Sequence, residues 1–272
     1  MEKIKNMLVS NLKTPHMIPI KIFKKIIFLY KKTKYKVEAV ESDQNKRFVK
    51  SNLNRDEGLK KLKKIKENYK FLEREMSSEH EVLFSSISLV SEVKIQNILE
   101  IGTFDGANAF LLSRIFEDST IETIDLKSSE SDFINTYKRN DSVEKFTNLR
   151  DNLLSKVDNI KFTELNSVKL TLSQKRYDLI WIDGAHGYPV CCIDIINSVN
   201  ILNKNGYIMV DDILIESNEN DKMYDSIAGF ETLKQLEKNN IIKLDFFYKR
   251  LDAGSNVDAK KTSYVALVRL LN

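Results

Sequence analysis

The sequence predicts an α/β protein whose doubly wound, mostly parallel sheet of seven strands ends in an antiparallel hairpin. From residue 94 onward, short apolar runs alternate with longer mixed segments, which is typical of parallel strands linked by helices. The last two apolar runs, at 241–251 and 263–271, are separated by a short polar turn, which favours a hairpin. A basic helical extension precedes this sheet domain, which is assigned to residues 94–272.

The hairpin supplies the last two strands, and the other predicted elements follow in chain order. The first five strands correspond to 95–102, 119–126, 159–166, 177–184 and 206–213, and two connecting helices to 107–116 and 188–202. Residues 59–93 form a predicted helical lead-in, because apolar residues recur at helical spacing from Leu59 to Leu72. Ser78 and Glu81 have the spacing of a capping box for the second helix of this lead-in.

The first 70 residues are strongly basic. They carry 20 Lys and Arg against 7 Asp and Glu, whereas the rest of the chain carries 23 against 32. Residues 1–58 are predicted to be a basic N-terminal extension whose polar stretch, 40–58, is a linker or loose connection. Because residues 1–36 mix lysines with apolar residues, both a peripheral contact with an anionic membrane and a simply solvated arm are open.

Composition and motifs exclude several classes of protein. No apolar run approaches the roughly 20 residues needed to cross a bilayer, and no signal peptide is recognisable, so we expect a cytoplasmic protein. The two cysteines, Cys191 and Cys192, are adjacent and cannot form a disulfide framework or a zinc site. No nucleic-acid motif accompanies the lysine-rich helix after residue 58, so no specific nucleic acid is expected as a partner.

A strand-to-helix turn follows the first strand, with Gly102 and Gly106 four residues apart and Glu100 just before them. The turn lacks the third glycine that admits a pyrophosphate in dinucleotide-binding folds. Glycines in such turns are also common for backbone reasons alone. The second strand ends at Asp125, which we expect at the same edge of the sheet, where a carboxylate can accept hydrogen bonds from a ribose diol.

These residues resemble the motifs of class I S-adenosylmethionine-dependent methyltransferases, a family with a Rossmann-like fold that ends in an antiparallel strand pair. The resemblance covers residues 97–272 and implies S-adenosylmethionine as the cofactor. The cofactor-binding residues that it implies are Glu100, Gly102, Thr103 and Gly106 at the methionine part, Asp125 at the ribose, and Ser167 with Asn166 near the adenine.

A second motif lies at the end of the fourth strand, where IDGAHGY places His186 three residues after Asp183. It is similar to an IDG-x-H-x-Y element of small-molecule O-methyltransferases. The fifth strand ends in Asp211 and Asp212. Metal-dependent relatives hold Mg²⁺ with acids at these places, so the resemblance implies a magnesium site at Asp183, Asp211 and Asp212. Alternatively, the last two aspartates cap the following segment and Asp183 binds only cofactor or water.

The resulting expectation is an S-adenosylmethionine-dependent methyltransferase that modifies a hydroxyl group of a small molecule or sugar. His186 is the candidate base that accepts the hydroxyl proton, with Asp183 beside it, although a loop histidine can equally be a helix cap. Two rivals stay open: a methyltransferase-like scaffold that binds a partner without chemistry, and a nicotinamide oxidoreductase, which the missing glycine and the terminal hairpin disfavour. The sequence indicates neither the acceptor nor the oligomeric state.

Overall fold

The chain is organised around one seven-stranded sheet, and the computed structural model describes residue 27 and residues 30–72, 78–135, 142–172, 174–216, 226–256 and 262–271. The strands are β1 (Asn97–Ile101), β2 (Thr120–Asp125), β3 (Ile160–Glu164), β4 (Tyr177–Ile182), β5 (Leu202–Leu214), β6 (Ile242–Tyr248) and β7 (Ser263–Leu270). Their order is β3-β2-β1-β4-β5-β7-β6. Strands β1 to β5 are parallel, and β7 is antiparallel to both of its neighbours. The predicted fold class is therefore confirmed.

Helices cover both faces of the sheet. They are α1 (Val37–Lys50), α2 (Arg55–Asn68), α3 (Glu79–Ile87), α4 (Ala107–Ile115), α5 (Ser131–Ile134), α6 (Val143–Leu154), α7 (Val190–Ile201), α8 (Ala228–Lys238) and α9 (Ala253–Asn256), with 3₁₀ turns at Lys70–Leu72 and Ser167–Leu172. Successive strand residues contribute to two apolar clusters: Ile98 packs with the α2, α3 and α4 side, and Leu99 with the α7 and α8 side. This alternation follows from the two-residue period of a strand.

The stretch 40–58, predicted to be a linker or loose connection, is instead mostly helical, in α1 and the start of α2. The prediction was wrong because polar residues of α1 bind a sheet edge. The Gln44 side chain donates to the carbonyl of Tyr248 at 3.1 Å and accepts from the N–H of the same residue at 2.9 Å. The Phe48 ring packs against Phe247, with 4.9 Å between centroids. Helix α1 thus covers β6, an edge strand that would otherwise expose unpaired backbone groups.

The helical lead-in is present, but its first helix is shorter than predicted and ends at Asn68. The predicted capping box at the start of α3 is wrong, since the Ser78 side chain makes no capping hydrogen bond. Its hydroxyl lies 2.7 Å from Nδ1 of His80, and the Glu81 carboxylate pairs with Lys66 at 2.6 Å. The Ser78 and Glu81 side chains therefore bind other side chains instead of the backbone N–H groups that a capping box would satisfy.

The predicted amphipathic turns over residues 20–30, and most of the arm 1–36, lie outside the described residues. Within the part of the chain that the structure describes, no helix combines the length and apolar character needed to span a bilayer. The membrane contact through residues 1–36 stays a prediction.

Candidate active site

The carboxyl ends of β1, β2 and β4 open into a cleft of about 980 Å³, a size typical of small-molecule and cofactor sites. Strand β1 lies between β2 and β4, so this is the place where the strand order reverses and where doubly wound sheets bind ligands. Six of the residues singled out from the sequence line the cleft: Gly102, Asp125, Asn166, Ser167, Asp183 and His186.

Gly102 marks the closest approach between the turn after β1 and the loop after β4. Its φ is +101°, and an added Cβ would lie 2.3 Å from the carbonyl oxygen of Asp183. The N–H of Asp183 in turn donates to the carbonyl of Ile101 at 2.9 Å. Any side chain at Gly102 would force these two strand ends apart, and glycine alone tolerates the backbone conformation without strain. The glycine therefore leaves bare backbone at the wall of the cleft.

Asp125 is held in a fixed orientation at the end of β2. Its Oδ2 accepts the N–H of Phe104 at 3.1 Å and its Oδ1 accepts the N–H of Leu126 at 2.8 Å. Phe104 has a φ of +47°, an uncommon conformation that turns its N–H toward the carboxylate. A carboxylate accepts several hydrogen bonds at once, and an anchored one at this edge of the sheet suits the hydroxyl groups of a ligand diol.

Glu100, Thr103 and Gly106 do not line the cleft; they support the turn from behind. Glu100 is fully buried, accepts from Nδ2 of Asn108 at 2.8 Å, and accepts a short hydrogen bond from the Thr123 hydroxyl. Thr103 and Thr123 share a hydroxyl contact of 2.6 Å. Gly106 begins α4 with a φ of +79°. The trio thus shapes the turn that contains Gly102, and its role at the methionine part of the cofactor stays a prediction.

Burial raises the pKa of Glu100 to about 7, opposed by its hydrogen bonds from Thr123 and Asn108. A carboxyl with a raised folded-state pKa binds its proton more tightly when folded, so this group stabilises the fold below pH 4.5 and that contribution is lost as the pH rises to about 7. The loss amounts to about 3 kcal/mol. Glu100→Gln, which cannot ionise, should gain stability over the parent protein by up to about 3 kcal/mol at pH 8, and much less at pH 4.5.

Urea unfolding of the two proteins across this pH range measures the difference. Glu144→Gln, at an exposed carboxylate on α6, is the control for a general charge effect. A stability difference between Glu100→Gln and the parent protein that stays constant with pH would contradict the prediction.

The acid cluster, defined as Asp183, Asp211 and Asp212, forms at the ends of β4 and β5 as predicted, but it holds a lysine. The Lys249 ammonium lies 2.6 Å from Asp211 Oδ2 and 2.6 Å from Asp212 Oδ1. Asp212 has a φ of +50° and lies where the pairing of β5 with β7 shifts register. Such an irregularity re-aims a side chain, and here it brings Asp212 to the lysine.

The protonation of the acid cluster follows from these contacts. Desolvation raises the pKa of Asp183 well above its usual range, and the negative charge of Asp211 adds to the effect. Burial also acts to raise the pKa of Asp211, but the Lys249 ammonium outweighs it and holds that pKa below the usual range. Burial acts to lower the pKa of Lys249, yet Asp211 and Asp212 raise it, so the lysine stays charged.

His186 lies between two carboxylates at the cleft wall. Its Nε2 is 3.6 Å from Asp183 Oδ1 and 3.9 Å from Asp212 Oδ2, and its side chain is 12% exposed. The ring therefore has an aspartate side chain on each of two sides, at the distance of an ion pair rather than of a hydrogen bond. The arrangement suits a general base that reaches into the cleft.

The residues predicted to hold Mg²⁺ do not fit that ion in this arrangement. A divalent cation needs the carboxylate oxygens of the acid cluster as ligands, and Lys249 already binds one oxygen of Asp211 and one of Asp212. Across the described ranges, no group of three or more His, Cys, Asp or Glu residues has the geometry of a metal site.

Two residues of the site were missed from the sequence. Lys249 follows β6, which runs parallel to β5 because β7 lies antiparallel between them, so the residue after β6 also arrives at the edge where the acid cluster lies. Asp194, on α7, is buried in the cleft wall and makes no hydrogen bond of ordinary geometry to a described residue. Burial raises its pKa to about 6, against a lowering by the nearby Ser167 hydroxyl. Both of its carboxylate oxygens are shielded from solvent, so the side chain supports the cleft wall from behind.

Trp181, on β4, is fully buried. The His80 ring stacks on it, with 4.8 Å between centroids and 33° between planes. His80 therefore packs against β4.

A second cleft of about 710 Å³ lies on the side of α2 and α4. Its Lys61 donates to the Ser88 hydroxyl at 2.8 Å and to the carbonyl of Ile115 at 2.9 Å, so this lysine ties elements together. None of the residues singled out from the sequence lines this cleft. We therefore place the candidate chemistry in the first cleft.

The strand order, the terminal antiparallel strand and the site at the carboxyl edge together define a class I methyltransferase fold, as the sequence resemblance predicted. A family model described as a methyltransferase domain matches residues 99–213, which span β1 to β5 almost completely. The recognition of a methyltransferase domain is thereby confirmed.

The chain is also similar to solved structures, at low sequence identity. The chain is similar to a putative O-methyltransferase from Klebsiella pneumoniae, with 14% identity, a TM-score of 0.50, and coverage of 78% of this chain and 90% of that one. The S-adenosylhomocysteine-bound methyltransferase PaMTH1 from Podospora anserina is 17% identical, with a TM-score of 0.49 and coverage of 70% of this chain and 77% of that one. The O-methyltransferase TomG from Streptomyces achromogenes, in complex with S-adenosylmethionine, is 13% identical, with a TM-score of 0.47 and coverage of 70% of this chain and 80% of that one. A comparison with curated proteins finds no match.

Proposed function

We propose that this protein is an S-adenosylmethionine-dependent O-methyltransferase that acts on a hydroxyl group of a small molecule or sugar. The observation that carries the proposal is that an anchored ribose-type acceptor, Asp125, and a base candidate flanked by carboxylates, His186, line the same cleft. A shared fold with a putative O-methyltransferase supports it.

The cleft offers groups that fit each part of the proposed cofactor. The bare backbone at Gly102 allows close approach of the methionine part, and Asp125 accepts the two ribose hydroxyls. Asn166 and Ser167 lie in the wall where the adenine is expected, with the buried Asp194 beside them.

When bound, S-adenosylmethionine supplies an electrophilic methyl group to an acceptor oxygen. The protein holds the acceptor in line with that group, and correct alignment provides much of the acceleration. His186 accepts the hydroxyl proton, and the Asp212 carboxylate, 3.9 Å from Nε2, offsets the resulting positive charge. Because Lys249 offsets the charge of Asp211 and Asp212, these carboxylates can stay together without a bound dication.

Asp125→Ala tests the cofactor site. The variant lacks the carboxylate that accepts hydrogen bonds from the ribose hydroxyls. We therefore expect it to weaken S-adenosylhomocysteine binding by roughly 1.5–3 kcal/mol, or about 10- to 150-fold. Isothermal calorimetry measures the affinity, and Asp118→Ala, at an exposed turn outside the cleft, is the matched control. A folded Asp125→Ala variant with parental affinity would refute the assignment.

The same calorimetry separates the rival functions. Binding of S-adenosylhomocysteine without binding of NAD supports the methyltransferase, and the reverse supports an oxidoreductase. Binding of neither by the folded protein supports a scaffold without chemistry. Transfer of a labelled methyl group to a panel of phenols, catechols and sugars then identifies the acceptor class.

A further inference from the structure

Lys249 is a permanent part of the acid cluster. Its side chain is 8% exposed and that of Asp211 is 3% exposed, so the two charges form a buried pair rather than a surface salt bridge. A buried carboxylate without a partner is strongly destabilising. The positive charge of the lysine therefore offsets the buried charge of Asp211 and stabilises this end of the sheet.

The backbone around Lys249 fixes where its ammonium group lies. Its N–H donates to the carbonyl of Ser263 on β7 at 3.0 Å, and its carbonyl accepts from the N–H of Glu79 on α3 at 2.9 Å. On the other side, Asp212 is held in a left-handed conformation, which persists only where the surroundings impose it. The chain thus places the lysine and the aspartate against each other from two separate elements.

We propose that Lys249 is a built-in cation that takes the place of a divalent metal ion at the acid cluster and positions Asp212 against His186. The two oxygens of Asp212 are divided between these partners: Oδ1 lies 2.6 Å from Lys249 and Oδ2 lies 3.9 Å from His186. A dication bound to the same oxygens would lie beside a fixed ammonium, and like charges at that distance repel strongly.

The inference rests on the proposed function and narrows its substrate class. A metal ion orients an acceptor through the oxygens that coordinate it, which favours acceptors with two neighbouring oxygens. A lysine buried behind the cleft imposes no such requirement. A single hydroxyl group within reach of His186 is therefore sufficient for an acceptor of this protein.

Manganese binding to the full-length protein tests the inference without measuring activity, with Mn²⁺ alone as the probe and the free ion followed by electron paramagnetic resonance. We expect no saturable binding to the parent protein. Lys249→Met should gain Mn²⁺ affinity by about 10-fold or more, because the carboxylates of the acid cluster lose their cation. Lys243→Met, at an exposed residue of β6, is the control. Lys249→Gln replaces Lys249→Met if thermal unfolding shows that the latter is not folded.

Activity and cofactor binding complete the test. The parent protein should retain full turnover in excess EDTA, and Lys249→Met should lose turnover while keeping its affinity for S-adenosylhomocysteine, because Lys249 does not line the cleft. Saturable Mn²⁺ binding to the parent protein that Asp211→Asn abolishes, or a folded Lys249→Met variant without any gain in Mn²⁺ affinity, would overturn the inference. Absence of S-adenosylhomocysteine binding in the parent protein would instead refute the proposed function and leave the manganese comparison interpretable.

Discussion

Replacing His186 with alanine is expected to lower the turnover of methyl transfer by about 100-fold or more, since a positioned base contributes this much to proton transfer. The geometry supports a large effect, because Nε2 lies within 4 Å of both Asp183 and Asp212. The measurement is the rate of labelled methyl transfer to an acceptor found in the hydroxyl panel, at saturating cofactor.

Cofactor affinity separates a lost base from a damaged cleft. S-Adenosylhomocysteine should bind His186→Ala nearly as well as it binds the parent protein, so that the loss falls on turnover. Added imidazole should restore part of the activity, because the space left by the side chain admits a free base. His186→Gln keeps a hydrogen-bonding side chain but cannot accept the proton. If His186→Gln retained the parental turnover, the histidine would be a spacer and not a base.

The sheet and its ligand edge could be predicted from the sequence because the relevant signals are local. Buried parallel strands are nearly continuous apolar runs, and Asp125 and Asp183 stand at or just after the ends of such runs. Once the strands are parallel, their carboxyl ends meet at one edge, so the positions of both acids follow. The antiparallel pair at the end of the sheet could also be predicted, from two apolar runs on either side of a polar segment, although that segment includes the short helix α9.

What the sequence did not indicate depends on long-range contacts. Helix α1 was taken for a linker because its Gln44 is polar, and this residue binds the edge of β6 about 200 residues later. Lys249 could be placed in the acid cluster only if the position of β6, two strands from β5, were known. No local sequence pattern encodes that position. The family resemblance assigned Glu100 to the cofactor site, and the structure adds that its buried side chain accepts a hydrogen bond from Asn108 on α4 and does not line the cleft.

The buried pair of Glu79 and Arg55 carries the largest expected effect on stability. Glu79 begins α3 and Arg55 begins α2, and their side chains are 11% and 6% exposed. Arg55 donates to both carboxylate oxygens, from Nε at 2.8 Å and from Nη2 at 2.9 Å, which is the strong two-bond form of this pair. The Gln44 side chain on α1 donates to the same carboxylate at 3.1 Å. One carboxylate therefore joins three helices of the N-terminal layer.

Glu79→Met should lower the free energy of unfolding by about 3–5 kcal/mol, because it leaves the Arg55 guanidinium buried without its main counterion. Urea unfolding measures the change, and Glu57→Ala, which removes an exposed partner of Lys60, should cost less than about 1 kcal/mol as the control. Adding Arg55→Met to Glu79→Met should recover much of the loss, since replacing a whole buried pair with apolar side chains is often nearly neutral. If the double variant were less stable than Glu79→Met by a further 3 kcal/mol or so, Arg55 would owe its contribution to Glu41 and Asn45, its other partners, rather than to Glu79.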